Sequence, residues 1–324
     1  MIISKTPFRV SFCGGGTDLR AYYSRRQGSV VSTAINKFMY VAVKDYFEKD
    51  KIFLKYSRTE LVTNVEKIKH PIIREALKLT GILRGVEISS MADIPSATGL
   101  GSSSAFTVGL LNALHAYLDE HKSPEDLARE ACKIEIEILR EPIGKQDQYI
   151  SAYGGLRHIL FNPDESVNTE LIIIPRSLKE ELEDSLLLFY TGIKRKARDI
   201  LHEQRKNTEK KMEFLDKMRE LSFELKESLM KKDLTRFGEL LHKNWEYKKM
   251  LASKITNPLI ERYYNLALKH GALGGKILGA GGGGFLLLYC EHKKQNSVIK
   301  ALKSLKLVPF RFESHGSVIV YRDG

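Results

Sequence analysis

Cysteine is scarce in this chain of 324 residues: Cys13, Cys132 and Cys290 stand far apart, and no CxxC or Cys/His spacing occurs. That excludes a disulfide framework and a zinc module, and an odd, sparse count fits a reducing cytoplasm. Each cysteine reads as a small buried apolar residue, and Cys13, beside a glycine run, is also a candidate to line a site. Long hydrophobic runs are missing. The longest in the second half, residues 285–290, is far too short to span a bilayer, and the opening MIISK lacks the apolar stretch of a signal peptide. The expectation is a soluble, cytoplasmic protein with no membrane partner. There is no internal repeat and no low-complexity linker.

Acidic residues are outnumbered, 40 Asp and Glu against 52 Lys and Arg, for a formal net charge of +12. Such a surplus favours anionic partners: nucleic acid, anionic lipid or phosphorylated metabolites. No zinc module and no basic motif interleaved with stacking aromatics is present, so nucleic acid is not expected as a partner. Residues 193–254 hold 18 Lys and Arg against 11 Asp and Glu, more than half of the whole surplus. The interleaving of signs reads first as a solvated helix face, and otherwise as a rim that attracts phosphates.

The apolar share of 43% is ordinary, and the length suits two domains. The first half mixes strands and helices. Strands are read at residues 8–12, 38–46 and 86–91, and 51–56 is read as a partner of the second. A helix over 71–80 carries Pro at its first turn. Another covers 105–118. Ser123-Pro124-Glu125-Asp126 starts a further helix, running to about Arg140. Strands follow at 156–161, 171–174 and 186–190. Residues 194–253 read as long helix broken near Lys232-Asp233. The remainder reads as helix 258–270, a glycine-rich strand pair 276–290, helix 295–305, and a hairpin of strands 308–313 and 317–321 turning at His315-Gly316. The domain boundary is expected near residues 180–185, giving 1–182 and 183–324.

The strongest chemical signal is PSATGLGSSSA, residues 95–105. A strand precedes it, its glycines let backbone N–H groups close round an anion, and a helix begins at its serines. A helix N-terminus carries about half a positive charge, which suits a polyphosphate. It is not a Walker A loop, because no Gly-Lys-Ser/Thr follows. The second signal is PFRVSFCGGGTD, residues 7–18: a strand carrying Arg9, then a glycine turn that presents Thr17 and Asp18. The third is GAGGGG, residues 279–284. It matches GxGxxG, yet a strand follows it instead of a helix and no βαβ unit surrounds it, so a dinucleotide fold is disfavoured. Close passage of backbone explains it better. Finally, IEIEILREPIGKQDQY places Glu135 on a helix and Asp147 in a loop twelve residues later. A helix carboxylate suits a metal and a loop carboxylate suits a reacting hydroxyl, while Glu137 and Glu141 read as solvated.

Together and in this order, these segments resemble the GHMP kinases, over nearly the whole chain. PFRVSFCGGGTDL, KQDQY and the AYGG at residues 152–155 look most like the branch acting on the anomeric hydroxyl of D-glycero-D-manno-heptose 7-phosphate, with galactokinase and fucokinase types as neighbours. The resemblance implies an α+β fold of two domains, a ribosomal-protein-S5-like N-terminal domain and a ferredoxin-like C-terminal domain. It implies ATP and Mg²⁺ as cofactors and a small sugar or sugar phosphate as partner, in a monomer or homodimer. Pro95, Thr98, Gly99, Leu100, Gly101, Ser102, Ser103 and Ser104 would wrap the ATP phosphates. Ser103 and Glu135 would ligate Mg²⁺. Asp147 would be the catalytic carboxylate and Arg9 its partner. Gly15, Gly16, Thr17 and Asp18 would meet the sugar, with Gly282 and Gly283 supporting that loop from behind. Galactokinases carry Gly-Glu-His-Thr-Asp where this chain has Gly14-Gly15-Gly16-Thr17-Asp18, which leaves room for a larger, phosphorylated sugar. Lys194, Arg195, Lys196, Arg198 and Lys145 are candidates for its distal phosphate. The alternatives are another GHMP acceptor, such as fucose, galactose or a mevalonate-type alcohol, and a non-catalytic sensor of ATP and sugar.

Overall fold

Two antiparallel-rich sheets organise the chain in a computed structural model that describes residues 1–96, 98–193 and 197–323. The first sheet begins with β1 (Ile2–Cys13), α1 (Arg20–Tyr23), β2 (Gly28–Asp45), β3 (Ile52–Lys55) and β4 (Thr59–Val62). Then come α2 (Pro71–Thr80), β5 (Val86–Ala92), α3 (Ser102–Tyr117), α4 (Pro124–Cys132), α5 (Gln146–Tyr153), β6 (Leu156–Phe161) and β7 (Val167–Leu171). Helices α2 and α4 start where the sequence places them. Pro71 sits in the first turn of α2, and Ser123 closes a reciprocal capping box with Asp126 on α4. Helix α4 passes into a π-helical turn, Lys133–Ile138, short of the expected end near Arg140. The strand expected at residues 51–56 is β3, Ile52–Lys55, which pairs with β4 and in parallel with β5 rather than with the strand of residues 38–46.

The second half runs α6 (Arg176–Asp184), β8 (Leu186–Tyr190), α7 (Ala197–Asn207), α8 (Met212–Met230), α9 (Leu234–Lys249) and α10 (Pro258–Lys269). It ends in β9 (Gly274–Ile277), β10 (Phe285–Tyr289), α11 (His292–Ala301), β11 (Lys306–Leu307) and β12 (Val318–Arg322). The second sheet has the order β11-β8-β10-β9. Helices α8 and α9 pack on each other, α8 lies on β1 and β2, and α9 lies on β9. They therefore bridge the two sheets. Phe12 meets Phe237 edge-on at 5.1 Å across that bridge, and Trp245, further along α9, is fully buried beside Tyr264.

The expected C-terminal hairpin does not form. Instead β12 pairs with β1 in the first sheet, whose order is β12-β1-β2-β5-β3-β4. The segment at His315-Gly316 is packed against the end of α5, where a Cβ on Gly316 would fall 1.9 Å from the Ala152 carbonyl. It is a crossing point and not a free turn. β12 covers the edge of β1 only as far as Lys5. Beyond a register shift between Pro7 and Phe8, the Arg9 N–H is left for the Leu100 carbonyl, which accepts it at 3.1 Å. That bond anchors the loop after β5 to the first strand.

Candidate active site

Arg9 is the hub. It sits on β1 with its side chain almost wholly buried. Its Nε and Nη2 each donate to one oxygen of Asp147 at 2.7 Å, a bidentate pair of the kind that fixes both distance and direction. The remaining nitrogen, Nη1, donates to the Gly99 carbonyl at 2.6 Å. One guanidinium thus ties a carboxylate to the glycine-serine loop. Asp147 lies in the first turn of α5 and not in the loop expected for it. Gly144 brings that helix against the glycine turn so closely that a Cβ there would lie 2.0 Å from Asp18 Oδ2.

The loop after β5 meets α3 through Gly101, whose φ of 75° is left-handed. A Cβ at Gly101 would lie 3.2 Å from Asp147 Oδ2, so a side chain there would crowd the carboxylate as well as strain the turn. Ser103, in the first turn of α3, donates to Glu135 Oε1 at 2.6 Å. Gln148 Nε2 donates to the other oxygen at 2.7 Å. Glu135 projects from the π-helical turn and is buried, and burial pushes its carboxyl up to about 7 against the pull of these donors.

Two cavities meet at this hub. The larger, of about 650 Å³, is walled by Ser96, Gly99, Gly101, Ser102, Ser103, Ser104 and Glu135, together with Met39, Tyr56, His70 and Phe106. The ring centroids of Tyr56 and His70 are 4.8 Å apart, and those of His70 and Phe106 5.2 Å. The smaller, of about 80 Å³, gathers the polar side chains of Ser11, Asp18, Gln146, Gln204, Lys248 and Lys276 round Gly15 and Gly16. Arg9, Ile143, Asp147, Leu201, Gly279 and Ala280 belong to both.

The sequence-derived residues divide accordingly. Arg9, Asp147, Gly99, Gly101, Ser102, Ser103, Ser104 and Glu135 gather at the larger cavity, and Gly15, Gly16 and Asp18 at the smaller. Pro95, Thr98 and Leu100 do not face either: Thr98 Oγ1 bonds back to the Pro95 carbonyl at 2.9 Å and Leu100 is in the core. Thr17 is also turned inward, donating to the Gly14 carbonyl at 2.8 Å and accepting from Ser29 N–H at 2.9 Å. Asp18 accepts from Gly16 N–H at 2.8 Å, and burial raises its carboxyl above the usual range. Gly282 and Gly283 lie behind: Gly282 N–H bonds to the Ile255 carbonyl at 2.7 Å, while Gly283 packs on Ile193. It is Gly279 and Ala280 that reach the pocket. Cys13 does not line it, since its Sγ contacts the Leu240 carbonyl and burial pushes the thiol up to about 12. Arg195, with Lys194 and Lys196, lies outside the described residues. Lys145 is held by Glu165 at 2.6 Å, and Arg198 stands at 3.7 Å from Glu141 on the larger cavity.

Sequence reasoning missed Lys248, Lys276, Gln204, Ser11 and Gln146. Lys276 had a signal: a lone charge between glycines and an apolar strand, in GGKIL. Lys248 had none, because Tyr-Lys-Lys-Met on a helix reads like any solvated face.

Comparison with known proteins agrees with this arrangement. The family description "GHMP kinases N terminal domain" matches residues 65–155, and "GHMP kinases C terminal" matches residues 225–306. A D-glycero-alpha-D-manno-heptose 7-phosphate kinase of Campylobacter jejuni is 30% identical over 316 residues, covering 93% of either chain. A solved D-glycero-D-manno-heptose 1-phosphate kinase from Bacteroides thetaiotaomicron shares the fold with a TM-score of 0.83 over 100% of both chains, at 23% identity. A putative sugar kinase from Campylobacter jejuni superposes with a TM-score of 0.77 over 98% of both, at 27% identity. Fold and matched segments define an ATP-dependent small-molecule kinase, a phosphotransferase with an alcohol group as acceptor. The chain belongs to the GHMP kinase family, and its two sheets are the two-domain α+β fold of that family. Among the described residues, no helix is long and apolar enough to cross a membrane.

Proposed function

We propose that this kinase transfers the γ-phosphoryl group of ATP to the anomeric hydroxyl of D-glycero-D-manno-heptose 7-phosphate, giving the 1,7-bisphosphate, a step towards nucleotide-activated heptose for surface polysaccharide. A cytoplasmic location goes with this reading. The observation that carries it is the meeting of a long cleft and a polar pocket at one Arg9–Asp147 pair. Kinase chemistry needs such a junction, with the phosphate chain on one side and the hydroxyl on the other. Similarity to the Campylobacter heptose 7-phosphate kinase over nearly the full length supports the choice of acceptor.

In this reading Gly99, Gly101, Ser102, Ser103 and Ser104 cradle the polyphosphate at the start of α3. Tyr56, His70 and Phe106 offer flat faces for the base. Asp147 accepts a hydrogen bond from the anomeric hydroxyl and takes its proton as the oxygen bonds to phosphorus. The bond from phosphorus to the β–γ bridging oxygen breaks, and ADP leaves. Because phosphoryl transfer passes through a loose transition state, aiming the oxygen matters more than early proton removal. Arg9 supplies that aim by holding both oxygens of Asp147 and the Gly99 carbonyl at once. Ser103 and Glu135 fit a magnesium ion: Glu135 is a buried carboxylate 2.6 Å from the Ser103 hydroxyl, and Mg²⁺ on a nucleotide takes only one or two protein oxygens. When bound, the ion screens the charge of the phosphates. Asp18 is placed to hold sugar hydroxyls, and Thr17 keeps the turn in shape.

The test is ADP release by the full chain with heptose 7-phosphate, mannose, fucose, galactose and mevalonate as acceptors. The expected result is a kcat/KM for heptose 7-phosphate above each of the others by about 100-fold or more, as a site built to pair a charged group rejects acceptors lacking it. Preference for a neutral hexose or for mevalonate would overturn the acceptor while leaving the kinase class intact.

A further inference from the structure

Two lysines from the second half of the chain converge on the glycine turn of the polar pocket. Lys248, on α9, donates to the Gly15 carbonyl at 3.2 Å and to Gln204 Oε1 at 3.0 Å. Lys276, on β9, donates to the Phe12 carbonyl at 3.1 Å. Both are buried and both line the polar pocket, yet neither belongs to the walls of the larger cleft. Their place is therefore apart from the ATP phosphates.

Among the described residues the pocket's ionisable side chains are the cations Arg9, Lys248 and Lys276 and the carboxylates Asp18 and Asp147. Asp147 is taken up by Arg9, and Asp18, bonded to backbone N–H groups, also lies close enough to Lys248 and Lys276 for their charges to act on one another. Buried positive charge in excess is costly unless something offsets it. Burial already lowers Lys276 to about 7. The pocket also holds polar atoms without protein partners: Ser11 Oγ, Gln146 Oε1 and Gln204 Nε2. Gln204 is itself buried, and its Nε2 lies where a Cβ on Gly16 would come within 2.5 Å. A Cβ on Gly15 would come near Ser11 Oγ, so glycine at 15 and 16 keeps Ser11 and Gln204 clear of side chains from the turn.

We propose that Lys248 and Lys276, with Gln204 Nε2 beside them, form an anion subsite that takes the phosphate ester of the acceptor, at the end of the pocket away from the hydroxyl that is phosphorylated. The ligand is a phosphomonoester on a polyol, bound by charge-assisted hydrogen bonds. The surface lysines near residue 195 and Lys145 are not needed for it. This inference rests on the acceptor being a sugar phosphate, as proposed above.

The experiment compares heptose 7-phosphate with the same heptose lacking its phosphate, for wild type, Lys248→Met and Lys276→Met. Each variant should lose about 10- to 100-fold in kcat/KM on heptose 7-phosphate, chiefly through KM. The KM for ATP and the turnover of the unphosphorylated heptose should stay within about threefold of wild type. Equal losses on both heptoses would overturn the subsite and leave the lysines as braces of the turn. If the variants fail to fold, wild type alone decides. Inorganic phosphate should inhibit it competitively against the heptose acceptor and not against ATP, and competition against ATP alone would overturn the subsite. The two readings separate cleanly. Wild type that prefers a neutral acceptor, but is inhibited by phosphate competitively against that acceptor, loses the heptose phosphate and leaves an anion site at the lysines that does not serve an ester of the acceptor. Wild type active on heptose 7-phosphate with lysine variants impaired equally on both heptoses keeps the heptose phosphate and loses the subsite.

Discussion

At the scale of single residues, the pair Arg9–Asp147 and the buried Glu135 do different work. Asp147 is 22% exposed, open to a ligand, while the side chain of Arg9 behind it is 3% exposed. Asp147→Asn keeps the shape and loses the proton acceptor, so kcat should fall by roughly 10²–10⁴-fold. Affinity for ATP, measured by calorimetry, should hardly change; retention of most of the activity would remove Asp147 from the chemistry. Glu135 makes a prediction about pH. Its folded pKa, about 7, lies above the ordinary carboxylate value because it is buried. The folded chain therefore holds a proton that the unfolded chain has released, and the stability this gives is full below the unfolded value and lost as pH rises through about 7. In metal-free buffer, Glu135→Gln should gain in Tm relative to wild type as pH goes from 5 to 8, and level off above that. A Tm difference that does not change with pH would contradict the assignment of the raised carboxyl.

At the scale of elements, the glycine-rich run before β10 explains itself through the loop it supports. Gly284 has φ 88°, and a Cβ there would fall 2.1 Å from the Thr98 carbonyl. The run is a close approach of backbone to the back of the glycine-serine loop, which is why it resembles a nucleotide motif without being one. Gly284→Ala should push that loop away. A left-handed backbone costs a side chain about 1–2 kcal/mol before any clash, and KM for ATP should rise by roughly tenfold or more while the sugar KM moves less; an unchanged ATP KM would show that the loop does not depend on this support. Elements with local signals were legible in the sequence. Pro71 opens α2, and the unbroken Leu-Leu-Leu-Phe-Tyr is β8. The front of β2 was not legible, because Gly-Ser-Val-Val-Ser-Thr-Ala has no clear alternation, and both its faces are buried. The first turn of α5 was hidden as well, since Gly144-Lys145-Gln146-Asp147 has neither cap nor apolar period. The π-helical turn at Lys133–Ile138 alternates apolar and charged residues like a strand, although it continues a helix.

At the scale of the whole molecule, the site is built by contacts that no local pattern announces. β12 finds β1 across nearly the full length of the chain, which is why a hairpin looked the better reading from sequence. The glycine-serine loop, the glycine turn and the Glu135/Asp147 pair were legible as candidate site segments because each is short and carries its own chemistry. The lysine side of the pocket was not, because α9 and β9 reach the glycine turn only when the two sheets are bridged by α8 and α9. The central claim is that the two cavities deliver a phosphoryl group from ATP to the anomeric oxygen of a sugar that already carries a phosphate. Phosphorus NMR of the complete reaction tests it most directly. The account predicts that the γ-phosphate signal of ATP declines one for one with a new signal coupled to the anomeric proton of the heptose, while the 7-phosphate signal persists. Release of free phosphate with the heptose 7-phosphate unchanged, or a new phosphate on any other carbon, would contradict it.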